Sequence, residues 1–440
     1  MMNPEFKRNL WLGFSMHKLI AMPVLLGMGA LALAMSEKFS EKTPEYLYTA
    51  AVSAFIFIVW LWGARNANLS IVDELRDKTW DQQRMSALTP WTMTWGKLLG
   101  STAFNWYGGA ICLAVAIPAA IISGDRPWTL DLPALVATGL MLHAGLIALN
   151  LHTGQMEMQL IQRGGLGWIA IIFTLITFQA VTNVFILEHD ITWWGIPIPG
   201  RQFLLASTVL FGTCAVFAAW RVVSNALQVR TIPWAWPLLA LIVTGYFAGF
   251  NRDASEHPIA VIGASGLTIT ALMTYATLLS ERARLPDWNM LRLRQQRGDW
   301  SGWLQHLPLW PTTLLLAFVF AALSMVPDPL GRQFDPVYSP FMRLPLALML
   351  LRDACIVLFF SFSPRARRPI AVALLYLFVL DALLPFFLKV AGLDELSYFC
   401  LPVGRNYSAA AGVMVMATQA FIALGLVAWR LQKNKFAEVA

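Results

Sequence analysis

Four ionisable side chains stand inside runs of this sequence that are otherwise apolar: Arg352 and the adjacent Asp353, Asp381, and His143. Each costs on the order of 2.5–3.5 kcal/mol at the centre of a membrane helix, so each needs a reason to be there. One reason is a polar path or gating network for a translocated ligand. The other is a buried pair such as Arg352–Asp381, which removes most of the cost and locks two helices together. Other chemistry finds no support in the residue pattern. There is no GxxxxGK(S/T) phosphate loop, HExxH or GxSxG, so ATP hydrolysis would have to come from another polypeptide and no catalytic residue is assigned. His17, His143, His152, His189, His257 and His306 are scattered, as are Cys112, Cys214, Cys355 and Cys400, with no CxxC. Neither a metal site nor a disulfide framework is expected.

The elements that must hold those groups are membrane helices. Hydrophobic residues make up 58% of the chain and charged ones 13%, which excludes an ordinary soluble domain. The sequence predicts an all-α polytopic protein with twelve spans, near 19–35, 46–64, 98–123, 132–151, 166–187, 203–220, 233–250, 258–279, 309–326, 344–362, 370–388 and 409–429. With both termini in the cytosol, 22 of the 32 Lys and Arg fall on the inner side, as the positive-inside rule requires. The net charge of +7 sits in short loops beside spans, which suits anionic lipid headgroups and not nucleic acid. Residues 3–18 read as an interfacial amphipathic helix, without the layout of a signal peptide.

Between the second and third spans lies a polar segment, 73–99, reading DELRDKTWDQQRMSALTPWTMTWGKLL. Ser70 followed by Asp73 predicts a helix start, and Thr89-Pro90 an N-cap with proline at the first helical position. Charges on one side and Val72, Leu75 and Trp80 on the other predict a surface helix on which a partner docks. This run, with Thr79-Trp80-Asp81, Ser86 to Trp91 and Gly96-Lys97-Leu98-Leu99, resembles the coupling-helix region of ABC-2 type ABC transporter permeases. Asn3, Pro4, Lys7, Arg8 and Leu10 are similar to that family's N-terminal interfacial helix. The resemblance implies a membrane subunit in the bacterial cytoplasmic membrane, an exporter driven by a separate ATPase that binds ATP and Mg. Glu74, Asp77, Trp80, Asp81 and Arg84 would contact that ATPase, with Pro90 and Trp91 holding the docking helix to the third span. A solvated helix face is the plainer reading of the same residues.

The two halves share features in the same order. Ala21-Met22-Pro23 corresponds to Ala235-Trp236-Pro237, Gln179-Ala180 to Asp381-Ala382, and Gly200-Arg201-Gln202-Phe203 to Gly404-Arg405-Asn406-Tyr407. A duplication of two six-span halves, 1–231 and 232–440, follows, with the coupling segment 70–97 in the first and 280–308 in its place in the second. An even number of spans per repeat gives both halves one orientation. This is the pattern of two permease subunits fused, served by two ATPase copies; pairing with a second permease chain stays open. The basic segment 280–308 lacks the Thr-Trp-Asp and Gly-Lys elements and reads equally as a plain loop. Segments 188–201 and 393–405 resemble the short re-entrant helices that precede the last span in that family, making Gly200, Arg201, Gly404 and Arg405 candidate outer-gate residues; an interfacial aromatic belt is the alternative. An ion-coupled secondary transporter using Arg352, Asp353 and Asp381, or a lipid-handling membrane enzyme using His143, Asp353 and Asp381, would leave 70–97 unexplained.

Overall fold

A computed structural model describes residues 3–35, 43–77, 79–86, 88–124, 127–156, 190–229, 233–251, 256–281, 283, 285–325, 343–363, 368–393, 396, 399–400 and 409–437. The chain divides into two compact units, the first being 1–191 with 197–231 and the second 192–196 with 232–440.

In the first unit α1 (Pro4–Gly13) is capped by Asn3, whose side chain accepts from the Glu5 and Phe6 N–H groups. It stops at Phe14, which is extended, and α2 (Met16–Ala34) begins with a Ser15 cap. The expected helix over 3–18 is therefore two helices. α3 (Thr43–Phe55) passes through a π-helical stretch, Ile56–Trp62, into α4 (Gly63–Arg76). Ser70 lies inside α4 and does not start a helix: its hydroxyl donates to the Ala67 carbonyl. The second span's helix runs on because Ala67, Ile71 and Val72 remain apolar on one face and bury against α8. A five-residue helix, α5 (Trp80–Arg84), follows, then α6 (Pro90–Gly100), whose Thr89 cap accepts from the Thr92 N–H. Long helices α7 (Ala103–Ser123), α8 (Trp128–Met156) and α9 (Gly200–Ala226) are the remaining described helices of the unit. α3 packs on α7, and α8 on α9.

Where a re-entrant helix was expected before α9, the chain forms a hairpin of β1 (Asp190–Trp193) and β2 (Ile196–Pro199). Prolines at 197 and 199 remove two N–H donors that a helix or a longer ladder would use. The two-residue loop, Trp194-Gly195, has positive φ at both positions, 54° and 76°, as tight hairpins with a right-handed twist require.

The second unit holds α10 (Ala235–Ala248), α11 (Pro258–Ser280), α12 (Leu285–Gln296), α13 (Trp300–His306), α14 (Trp310–Leu323) and α15 (Arg343–Ser361). Next, α16 (Pro369–Phe378) runs through a π-helical stretch, Val379–Leu383, into α17 (Leu384–Val390), and α18 (Ala409–Ala437) ends the described chain. α11 packs on α14, where a Cβ at Gly263 would come within 2.5 Å of the Ser324 backbone nitrogen, and α15 packs on α18.

Among the described residues nine helices are long and apolar enough to cross a membrane. The chain is thus a multi-pass membrane protein. Three of the twelve expected spans are not among the nine. α10, of 14 residues, is shorter than the ~20 that a crossing takes. α14 qualifies only together with α13, from which it is bent by 90°. The run 166–187 lies outside the described residues.

Candidate functional site

The polar segment of the first unit closes on an ion quartet drawn from three helices. Lys97 of α6 reaches Glu5 of α1 at 3.3 Å and also bonds Glu74 of α4, while Arg8 bonds Glu5 at 2.9 Å and Glu74 at 2.6 Å. Two cations face two carboxylates, so the charges sum to zero. Lys97 and Glu5 are buried, and the Lys97 ammonium lies 5.1 Å from the centre of the Trp80 ring. α1 can come this close because Gly96 offers no side chain: a Cβ there would meet the Glu5 Cβ at 2.5 Å. The Asn3 amide donates to the Thr92 carbonyl at 2.6 Å and fixes the start of α1. The interfacial helix therefore turns Glu5 inward and leaves Trp11 and Leu12 exposed, an apolar outer face suited to the lipid boundary.

This arrangement divides the expected docking residues. Glu74 is committed to Lys97 and Arg8, and Trp80 is buried over Lys97, so neither presents a free docking face. Asp77 is exposed. Trp91 is half-exposed and stacks edge-on against Trp95 and Trp220, fixing α6 to α9. Pro90 occupies the first turn of α6, as read from sequence. The side chains of Asp81 and Arg84 lie outside the described residues. Met85, which sequence reasoning passed over, is 82% exposed beside them.

In the second unit the intramembrane charges converge. Arg352 donates through Nε to Asp353 at 2.8 Å and through Nη2 to Asp381 at 2.6 Å. Its Nη1 donates to Gln419 Oε1 at 2.9 Å, and the Tyr275 hydroxyl donates to Asp353. Four helical segments meet here: α11 supplies Tyr275, α15 Arg352 and Asp353, the π-helical stretch Asp381, and α18 Gln419. Tyr275 and Gln419 were missed because each is one uncharged polar group in an apolar run, with no penalty large enough to single it out. One guanidinium serves two carboxylates, and among the described residues Arg352 is the one hydrogen-bond partner of Asp381.

His143 belongs to the first unit and does not join this cluster. Its Nε2 bonds the Val59 carbonyl at 2.8 Å, and its ring meets Trp106 edge-on. Val59 lies in a π-helical stretch, where the i→i−4 ladder is interrupted and side chains can take up backbone groups. Asn105 does the same for the Ile58 carbonyl at 2.9 Å. Of the outer-gate candidates, Gly200 starts α9, and Arg201 pairs with Asp131 of α8 at 2.7 Å; Gly404 and Arg405 lie outside the described residues.

On the other polar segment, Glu281 follows α11, and its carboxylate accepts from the Leu309 N–H through both oxygens, at 3.0 and 3.1 Å. It thereby ties both ends of 282–308 together. Burial pushes its carboxyl up to about 7, against the pull of the Leu309 and Trp310 N–H groups.

These helices and clusters define a polytopic α-helical membrane protein with, among the described residues, a buried polar centre in its second unit and an ion-paired polar block in its first. No family model, curated protein or solved structure matches the chain.

Proposed function

We propose that this chain is the membrane subunit of an ABC-2 type ABC transporter, an exporter of the bacterial cytoplasmic membrane driven by a separate ATPase that binds ATP and Mg. The observation that carries the reading is that the polar segment folds into a block, α5 and α6, joined to α1 through the ion pairs of Glu5, Arg8, Glu74 and Lys97. Movement imposed on a loose loop dissipates in the loop. A block ion-paired to a boundary helix and stacked through Trp91 on α9 carries a push into the membrane helices as a unit.

The docking face is then Asp77 and Met85, which are exposed, and Trp80 is a support within it. Two halves of six spans, fused, with two ATPase copies, remain our reading. In its favour, the second expected span packs on the third, and the fourth on the sixth, within each unit. The cluster of Arg352, Asp353 and Asp381 favours a second reading, an ion-coupled transporter, because its described charges do not balance.

Affinity purification from mildly solubilised membranes tests the docking face. Wild type should bring down a Walker-type ATPase, and Asp77→Arg with Met85→Glu should lose it while keeping the wild-type elution profile. Retention of the ATPase by the double variant would remove this face from the interface.

A further inference from the structure

We propose that the second unit binds a hydrophobic organic monocation, with its positive head on Asp381 and its apolar body in an adjoining cavity. The site is defined by the second unit alone and stands whether or not an ATPase drives the chain.

With both carboxyls ionised, the described cluster sums to one negative charge. Arg352 is shared between Asp353 and Asp381. Asp353 has a second donor, the Tyr275 hydroxyl. Asp381 has none: its Oδ1 takes Arg352, and its Oδ2 has no hydrogen bond among the described residues. It is also the less buried carboxylate, at 18% exposed against 2%. A carboxylate with a spare oxygen and an uncompensated charge, held in apolar surroundings, is a receptor for a cation.

Beside it lies a cavity of about 300 Å³, near the lower end of the size range of small-molecule sites. Its lining includes Cys355, Phe359, Phe360, Leu380, Leu384 and Ala423. The cluster residues do not themselves line this cavity, which helical register places one turn further along α15 and α18. Cys355 follows Arg352 by one turn of α15, Ala423 follows Gln419 by one turn of α18, and Leu380 is the chain neighbour of Asp381. The walls present almost only carbon, so the body of the ligand must be apolar. Tyr376 and Leu384 of its lining are exposed, so the cavity is open at that edge to a ligand arriving from outside the unit.

The far end carries the opposite sign. The Arg430 guanidinium stacks over Phe359, 4.8 Å from the ring centre. A cation is thus drawn to the Asp381 end and discouraged at the other, which fixes the orientation and disfavours a second positive charge on the ligand. The aromatic walls, Phe359, Phe360 and Tyr376, suit the alkyl or aryl body of such an ammonium.

The test uses the full chain, purified in a neutral detergent without any ATPase, and calorimetric titration with trimethyloctylammonium, octanoate serving as the anion of matched chain length. Wild type should bind the ammonium and not octanoate. Asp381→Asn should weaken the ammonium tenfold or more, Asp381→Glu should keep it within a few-fold, and Ala423→Phe, which fills the cavity and leaves every charge in place, should abolish it. If Asp381→Asn does not elute as folded protein, the Glu and Phe variants decide. No binding to wild type, equal binding of octanoate, or unchanged affinity in Ala423→Phe overturns the proposal. Loss of the ATPase interaction elsewhere in the chain would leave all these outcomes unaffected.

Discussion

Lys97 is the residue on which the first unit's polar block turns. It is 1% exposed, bonds two carboxylates and sits against the Trp80 ring, so its removal strands Glu5 as a buried, under-compensated charge. Lys97→Ala should destabilise the protein by about 3–5 kcal/mol, the usual cost of breaking one side of a buried pair; denaturant unfolding in detergent measures it, and Lys97→Arg should recover part of the loss. Glu281 gives a pH-dependent counterpart. Its folded pKa of about 7 lies above the ordinary carboxylate range, so between the two values the folded state binds more protons than the unfolded one. Stability therefore rises as pH falls from above 7 toward that range. Denaturant unfolding across this interval should show that rise, and Glu281→Gln should flatten the profile. The sequence exposed Arg352, Asp353 and Asp381 because charges in long apolar runs demand partners. In sequence Lys97 reads only as part of the Gly96 to Leu99 run of the coupling-region resemblance, and Glu5 only as one position of the interfacial helix, since both lie at the ends of runs where water could serve them.

At the scale of elements, two short segments show what periodicity misses. The run that follows the second span was divisible in sequence at Ser70, a good cap, yet α4 continues through it because burying Ala67, Ile71 and Val72 outweighs a local capping preference. Residues 190–199 are aromatic and apolar enough to read as a re-entrant helix, but Pro197, Pro199 and the Trp194-Gly195 turn select a hairpin. The Thr89-Pro90 start of α6 was legible because cap and proline act through their own backbone, without needing distant contacts. Packing of α1 on α6 was not, since it depends on Gly96 meeting Glu5 across the fold. Gly96→Leu should displace α1: amide exchange over residues 4–13 should speed up tenfold or more, with exchange in α11 and α15 unchanged.

For the whole molecule, composition and hydropathy were sufficient for the polytopic class, because a chain with nine long apolar helices among its described residues has few other ways to bury them. The span count was less legible. Hydropathy does not distinguish a crossing from a short apolar helix such as α10, or from a helix entered through a 90° bend such as α14. The site was legible as residues but not as an assembly: the sequence supplied three charges, and tertiary packing added Tyr275, Gln419 and the cavity. One arrangement joins these parts in our account, a single fused permease chain moved by two copies of an ATPase through the polar block. The most direct measurement is native mass spectrometry of the complex isolated from membranes, with ATP hydrolysis assayed on the same sample. The account predicts one copy of this chain with two copies of a Walker-type ATPase and hydrolytic activity. This chain isolated intact, without any nucleotide-hydrolysing partner, would contradict it.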